Sequence, residues 1–182
     1  EDRAADRFLN IVALLNRQGQ LIGRYVFAHP SIREMENGLA PGGEFPVFDC
    51  DFGKVGIQIC GDVHYDDGWR ALARAGAELV LQIAQPATPV EIALRARQHR
   101  YFILSATWRD AAGLYSPTGH ALAELRGSSP QVLTTRIDLD YAILGWQPNL
   151  GNGQLFTDRY GDRAGFRYWP EDDCGLFWSN DP

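Results

Sequence analysis

The chain alternates short apolar runs with turn residues, and the period of those runs changes along it. Val55-Gly56-Ile57-Gln58-Ile59 is a brief, β-branched apolar run, the mark of a buried central strand. Cys60 stands where the run ends, and Gly61 and Asp62 follow as turn residues. Asp66-Asp67-Gly68 opens a helix, since Asp caps well and acidic residues suit a first turn. Trp69, Leu72, Ala73 and Gly76 recur at i, i+3, i+4 and i+7 and give that helix one packing face. A thiol at the carboxyl end of a strand, beside the N–H groups of a tight turn, is placed to be a nucleophile.

The same pattern extends in both directions. Strands are predicted over residues 8–16 and 21–28, joined as a hairpin by Arg17-Gln18-Gly19-Gln20 and ended by Pro30. One helical turn over residues 31–36 and a short strand over 46–50 follow. After the Cys60 unit come a strand over 78–83 and a helix over 90–100. Pro89 starts that helix, and Arg95, Arg97 and Arg100 form a solvated face. A strand over 101–106, a hairpin over 113–126 around Pro117-Thr118-Gly119 and a strand over 131–139 complete the series. From Tyr141 on, Gly151, Gly153, Gly161 and Gly165 interrupt aromatic residues and little period is left. Residues 1–140 thus read as one domain. Residues 141–182 read as an extension lying on that domain or on a neighbouring subunit, with Trp146, Trp169 and Trp178 as packing or interface anchors. Strand–helix units among hairpins predict a layered α/β fold of mixed sheets.

Composition narrows the function classes. With 182 residues, 45% apolar and 12% aromatic, the chain is long and apolar enough for a real core. A net charge of −6 argues against a nucleic acid or an anionic membrane as partner. No apolar run approaches spanning length and no signal-peptide pattern is present. The three cysteines, Cys50, Cys60 and Cys174, are odd in number and lack metal-ligand spacing. They predict a reduced, cytoplasmic setting with no metal and no cofactor. Lys54 is the single lysine, against sixteen arginines.

Several segments together resemble the nitrilase superfamily, the carbon–nitrogen hydrolases. They are Leu21-Ile22-Gly23-Arg24-Tyr25, Pro41-Gly42, Val47-Phe48, the block from Phe52 through Cys60-Gly61-Asp62, and the run from Arg70 to Glu78. Ser116-Pro117-Thr118-Gly119 and Arg136-Ile137-Asp138-Leu139 look like the family's late hairpin and closing strand. The resemblance runs from Phe8 to Leu139, and the Cys60 block is its specific part. It implies an αββα sandwich, an oligomer with tails reaching over neighbours, and a Glu–Lys–Cys triad forming a thioester with a small amide or nitrile.

The chain departs from that family pattern in three places. The strand–helix unit that carries the family's triad glutamate has no counterpart before Phe8, so the fold is expected to be incomplete at its N-terminus. The position of the family lysine, two residues after Tyr25, is Phe27. Lys54 cannot replace it, because six residues of strand span about 20 Å. The family's second glutamate falls near Met35, between Glu34 and Glu36. A preorganised charge at such a site is typically worth ~3–4 kcal/mol of barrier, so its loss weighs against ordinary turnover.

Each candidate has a functional and a structural reading. Cys60 is the nucleophile, or a small buried hydrophobe. His29, on the same strand face as Phe27, is a base toward Cys60, or a structural histidine beside a proline turn; the second is preferred. His64 acts on the thiol, or is a surface residue, again the preferred reading. Asp62 caps the turn, and Gly61 leaves the thiol uncovered. Three functions follow. One is a thiol amidohydrolase acting on a small non-peptide amide, carbamoyl or nitrile. Another is a nitrilase-like module that has lost its triad and serves binding or assembly. The third is an acyl transferase of the same superfamily.

Overall fold

A computed structural model describes residues 7–109, 111–127, 131–145 and 151–180. The chain divides into two compact units, Glu1–Leu133 and Thr134–Pro182. The first contains strands β1 (Ile11–Leu15) and β2 (Leu21–Val26), helix α1 (Ile32–Glu36), strands β3 (Val47–Cys50) and β4 (Gly53–Ile59), and helix α2 (Asp66–Arg74). It continues with β5 (Leu79–Ala84), α3 (Pro89–His99), β6 (Phe102–Thr107), β7 (Ala111–Tyr115) and β8 (Ala121–Arg126).

Six strands form one sheet in the order β3-β4-β5-β6-β7-β8, and β1-β2 form a separate hairpin. The β4–β5 and β5–β6 pairs are parallel and the others antiparallel. Parallel strands need both faces covered, and β4 is buried on both: Val55, Ile57, Gln58 and Ile59 are each 5% exposed or less. One face carries the helices, where Trp69, Leu72, Val80, Ile92, Ala96, Tyr101 and Ile103 form a core. Gly56 is needed there, since a Cβ would lie 2.8 Å from a Leu72 methyl. On the other face Ile57 and Ile59, with Leu81 and Ile83, meet Tyr25 and Phe27 of the hairpin segment. The layers are therefore helices, mixed sheet, hairpin. Burying a side chain such as Leu72 fully contributes about 1.5–3 kcal/mol.

The second unit holds β9 (Tyr141–Gly145), α4 (Gln154–Tyr160), β10 (Ala164–Trp169) and β11 (Cys174–Ser179). Its antiparallel sheet has the order β10-β11-β9. Phe156 of α4 packs on Phe177, with ring centroids 4.8 Å apart.

Two expectations need correction. Residues 131–139 form no strand; Val132 is 89% exposed, so the alternation there has no sheet to join. Beyond Tyr141, where the sequence period is weak, the glycines permit close approach: Gly165 lies beneath the Trp178 ring. Arg95 is not solvated: it lies on α3 with its side chain 13% exposed and pairs with Asp66 at 2.7 Å. Trp146 lies outside the described residues. Among the described residues no helix is long and apolar enough to cross a membrane.

Candidate active site

Cys60 closes β4 and begins a 3-10 turn, Cys60–His64, that leads to α2. It is partly buried, and its φ is +39°, a left-handed conformation that non-glycine residues rarely hold. Such a residue costs about 1–3 kcal/mol and persists only where its surroundings fix it. Those surroundings centre on Asp62.

Asp62 is fully buried, and both of its carboxylate oxygens are occupied. Oδ2 accepts from the Tyr25 hydroxyl at 2.7 Å and from the Ile59 N–H at 2.8 Å. Oδ1 accepts from the His29 N–H at 3.1 Å and lies 2.8 Å from His29 Nδ1. The Asp62 carbonyl accepts from Trp69 Nε1 at 2.8 Å. One buried carboxylate thus joins the end of β2, the end of β4 and the turn, while the adjoining carbonyl holds α2. Burial, and then the neighbouring Asp62 charge, push the Tyr25 hydroxyl well above the ordinary tyrosine range.

Phe27 is 2% exposed and belongs to the core cluster beside which Cys60 packs. A Cβ on Gly61 would lie 3.4 Å from the Phe27 ring and 3.2 Å from the His29 carbonyl, so the turn abuts the end of β2. Phe27 thus sets an aromatic ring, not a cation, beside the Cys60 turn. Both His29 ring nitrogens are directed at carboxylates, Nδ1 at Asp62 and Nε2 at Asp67, 3.2 Å away. Neither is left to accept a proton from the thiol. His64 is exposed on the turn. Glu34 is engaged at the start of α1, where its carboxylate accepts from the Ser31 N–H and hydroxyl at 2.7 Å each.

The structure therefore gathers Phe27, His29, Gly61 and Asp62 around the Cys60 turn and leaves His64 at the surface. Tyr25, Tyr65 and Asp67 belong to the same assembly, though in the sequence none of them carries a site role and Asp67 reads only as a helix opener. Tyr25 was within reach, since residues 25, 27 and 29 share one face of an extended strand. Among the described residues no group of three or more His, Cys, Asp or Glu gathers as a metal site. A separate cavity of about 510 Å³ opens at the other end of β4. It is lined by Leu14, Leu15, Ile22, Val55, Leu79 and Leu81, with Arg17, Asp49 and Asp51 among its polar residues. Burial, then the charges of Asp51 and Asp49, raise the Cys50 thiol beside it.

Comparison with known proteins bears on this arrangement. Apolipoprotein N-acyltransferase from Geobacter metallireducens is 25% identical over 183 residues, covering 86% of this chain and 33% of that protein. A nitrilase from Pyrococcus abyssi is 29% identical over 174 residues, covering 87% of this chain and 64% of its own length. Among solved structures, a nitrilase-superfamily member from Saccharomyces cerevisiae superposes with a TM-score of 0.61 at 20% identity, covering 66% of this chain and 50% of that one. An amidase from Nesterenkonia sp. gives 0.59 at 22%, covering 64% and 50%. The chain thus spans about half of those two solved structures, and the likeness establishes an α/β nitrilase fold. The family model for carbon–nitrogen hydrolases matches residues 1–144, which include the hairpin, the six-stranded sheet and the Cys60 turn, and the chain belongs to that family.

Proposed function

We propose that the chain carries the nucleophile of a carbon–nitrogen hydrolase that cleaves a small non-peptide amide, carbamoyl or nitrile group through a thioester on Cys60. The observation that carries this reading is the strained, left-handed Cys60 at the carboxyl end of the parallel strand β4. Ligands of open α/β sheets bind at the carboxyl ends of the strands. Strain kept at such a place is the expected signature of a functional residue. With an amide, the Cys60 sulfur attacks the carbonyl carbon and the C–N bond breaks, the amine leaving with a proton. Water then cleaves the thioester, returning the thiol and a carboxylic acid.

Phe27 favours a second reading, a binding or assembly module without turnover, because it occupies the position of the family lysine. The test is ammonia release from short aliphatic amides, a nitrile and a carbamoyl amino acid, together with intact-mass detection of an acyl adduct on Cys60. The first reading expects both signals, each abolished by Cys60→Ala. Absence of adduct and ammonia across the panel would leave the second.

A further inference from the structure

His29 is held from four directions. Nδ1 lies 2.8 Å from Asp62 Oδ1 and Nε2 lies 3.2 Å from Asp67 Oδ2. The ring stacks on Tyr65, with centroids 4.2 Å apart and planes 9° from parallel, and faces Phe45 at 6.2 Å. A carboxylate only accepts hydrogen bonds. Both contacts are made together only when each ring nitrogen carries a proton, and that form of the ring is a cation. The His29 carbonyl meanwhile lies beside Gly61, the residue after Cys60.

We propose that His29 is a positioning residue for the Cys60 nucleophile: a cation, fixed by Asp62 and Asp67, that faces the Cys60 turn and stands in for the charge Phe27 does not supply. The proposal rests on Cys60 being the nucleophile. The titratable groups around the ring are Asp62, which is fully buried, Asp67, which is half-exposed, Tyr65 in the stack, and Tyr25, which donates to Asp62. Within this group His29 is the one side chain able to carry a positive charge.

The proposal has a sign that a purely structural role lacks. Removing His29 leaves the Asp62 anion uncompensated two residues from the thiol, which disfavours the thiolate. Removing the Asp62 charge leaves the cation, which favours it. Loosening of the turn alone would move both variants in one direction. The experiment measures the rate of iodoacetamide alkylation at Cys60 in the native chain at fixed neutral pH. Peptide mass spectrometry resolves the sites, with Cys50 and Cys174 as references in the same molecule. His29→Gln is expected to slow Cys60 roughly three- to tenfold, the scale of one neighbouring charge. His29→Arg, which keeps a cation, stays within about twofold of the parent on the same reasoning, and Asp62→Asn reacts faster than the parent. The proposal is overturned if Gln and Arg at position 29 behave alike, if His29→Gln reacts as fast as the parent, or if a folded Asp62→Asn reacts more slowly. Should Asp62→Asn fail to fold by circular dichroism, the Gln–Arg contrast decides alone. The expected pattern without amide turnover would sink the hydrolase reading and leave only the charge of His29 acting on the Cys60 thiol; turnover with unchanged alkylation would sink this proposal alone.

Discussion

Asp62→Ala is the sharpest single perturbation of this fold. It removes an acceptor from the Ile59 and His29 N–H groups, from the Tyr25 hydroxyl and from the His29 ring at once. A buried donor left unpaired costs about 1–3 kcal/mol, and four donors lose their acceptor here. These costs overlap, because water entering the space left by the carboxylate re-pairs some donors. The expected loss is therefore about 3–5 kcal/mol, a fifth or more of a typical domain's stability. The assay is urea unfolding followed by tryptophan fluorescence, to which Trp69 reports directly, its indole N–H being bonded to the Asp62 carbonyl. In a thermal scan the same loss lowers the midpoint by roughly 6–20 °C. A shift of the urea-derived stability below about 1 kcal/mol would refute the reasoning, since the carboxylate would then be worth no more than one ordinary hydrogen bond.

Further predictions rest on separate features. Cys60→Gly is expected to raise stability by up to about 1 kcal/mol while removing any adduct, because glycine holds φ +39° without strain; denaturation that shows a loss instead would deny the strain. Gly68→Ala should cost about 1–3 kcal/mol by overpacking despite alanine's better helix propensity, since its Cβ would lie 2.6 Å from the Phe45 ring and 2.8 Å from Gln58 Oε1. Tyr25 titrates above its ordinary value when folded, so above the unfolded value of about 10 the unfolded chain releases a proton that the folded chain keeps. Stability is then full below that pH and is lost as pH rises past it; in alkaline urea titrations Tyr25→Phe should show the shallower loss, and parallel curves would count against this.

The parts of the fold written in local pattern were legible in the sequence. β4, β5 and β6 are short β-branched or apolar runs, and the hairpins carry glycine-containing turns, so their places could be read from period alone. Asp62 could be placed on a turn but not inside the core. An aspartate in a turn is usually solvated, and its burial depends on partners 33 and 37 residues away in sequence. Arg95 misleads in the same way: its helical spacing says surface, and Asp66 across the helix pair says otherwise. Residues 131–139 alternate like a strand but meet no partner strand, and alternation alone does not make a sheet. The left-handed backbone at Cys60 has no signal in a residue type that ordinarily avoids it.

The tie between Tyr25 and Asp62 also bears on the order in which the chain assembles. It closes a loop of 37 residues, and such closure is paid in chain entropy before any contact rewards it. Until the β2 segment reaches the end of β4, nothing compels Cys60 into its costly backbone conformation. The Cys60 thiol therefore gains its geometry late, once two distant stretches have met. A nascent or unfolded chain presents it only as an ordinary, conformationally relaxed thiol.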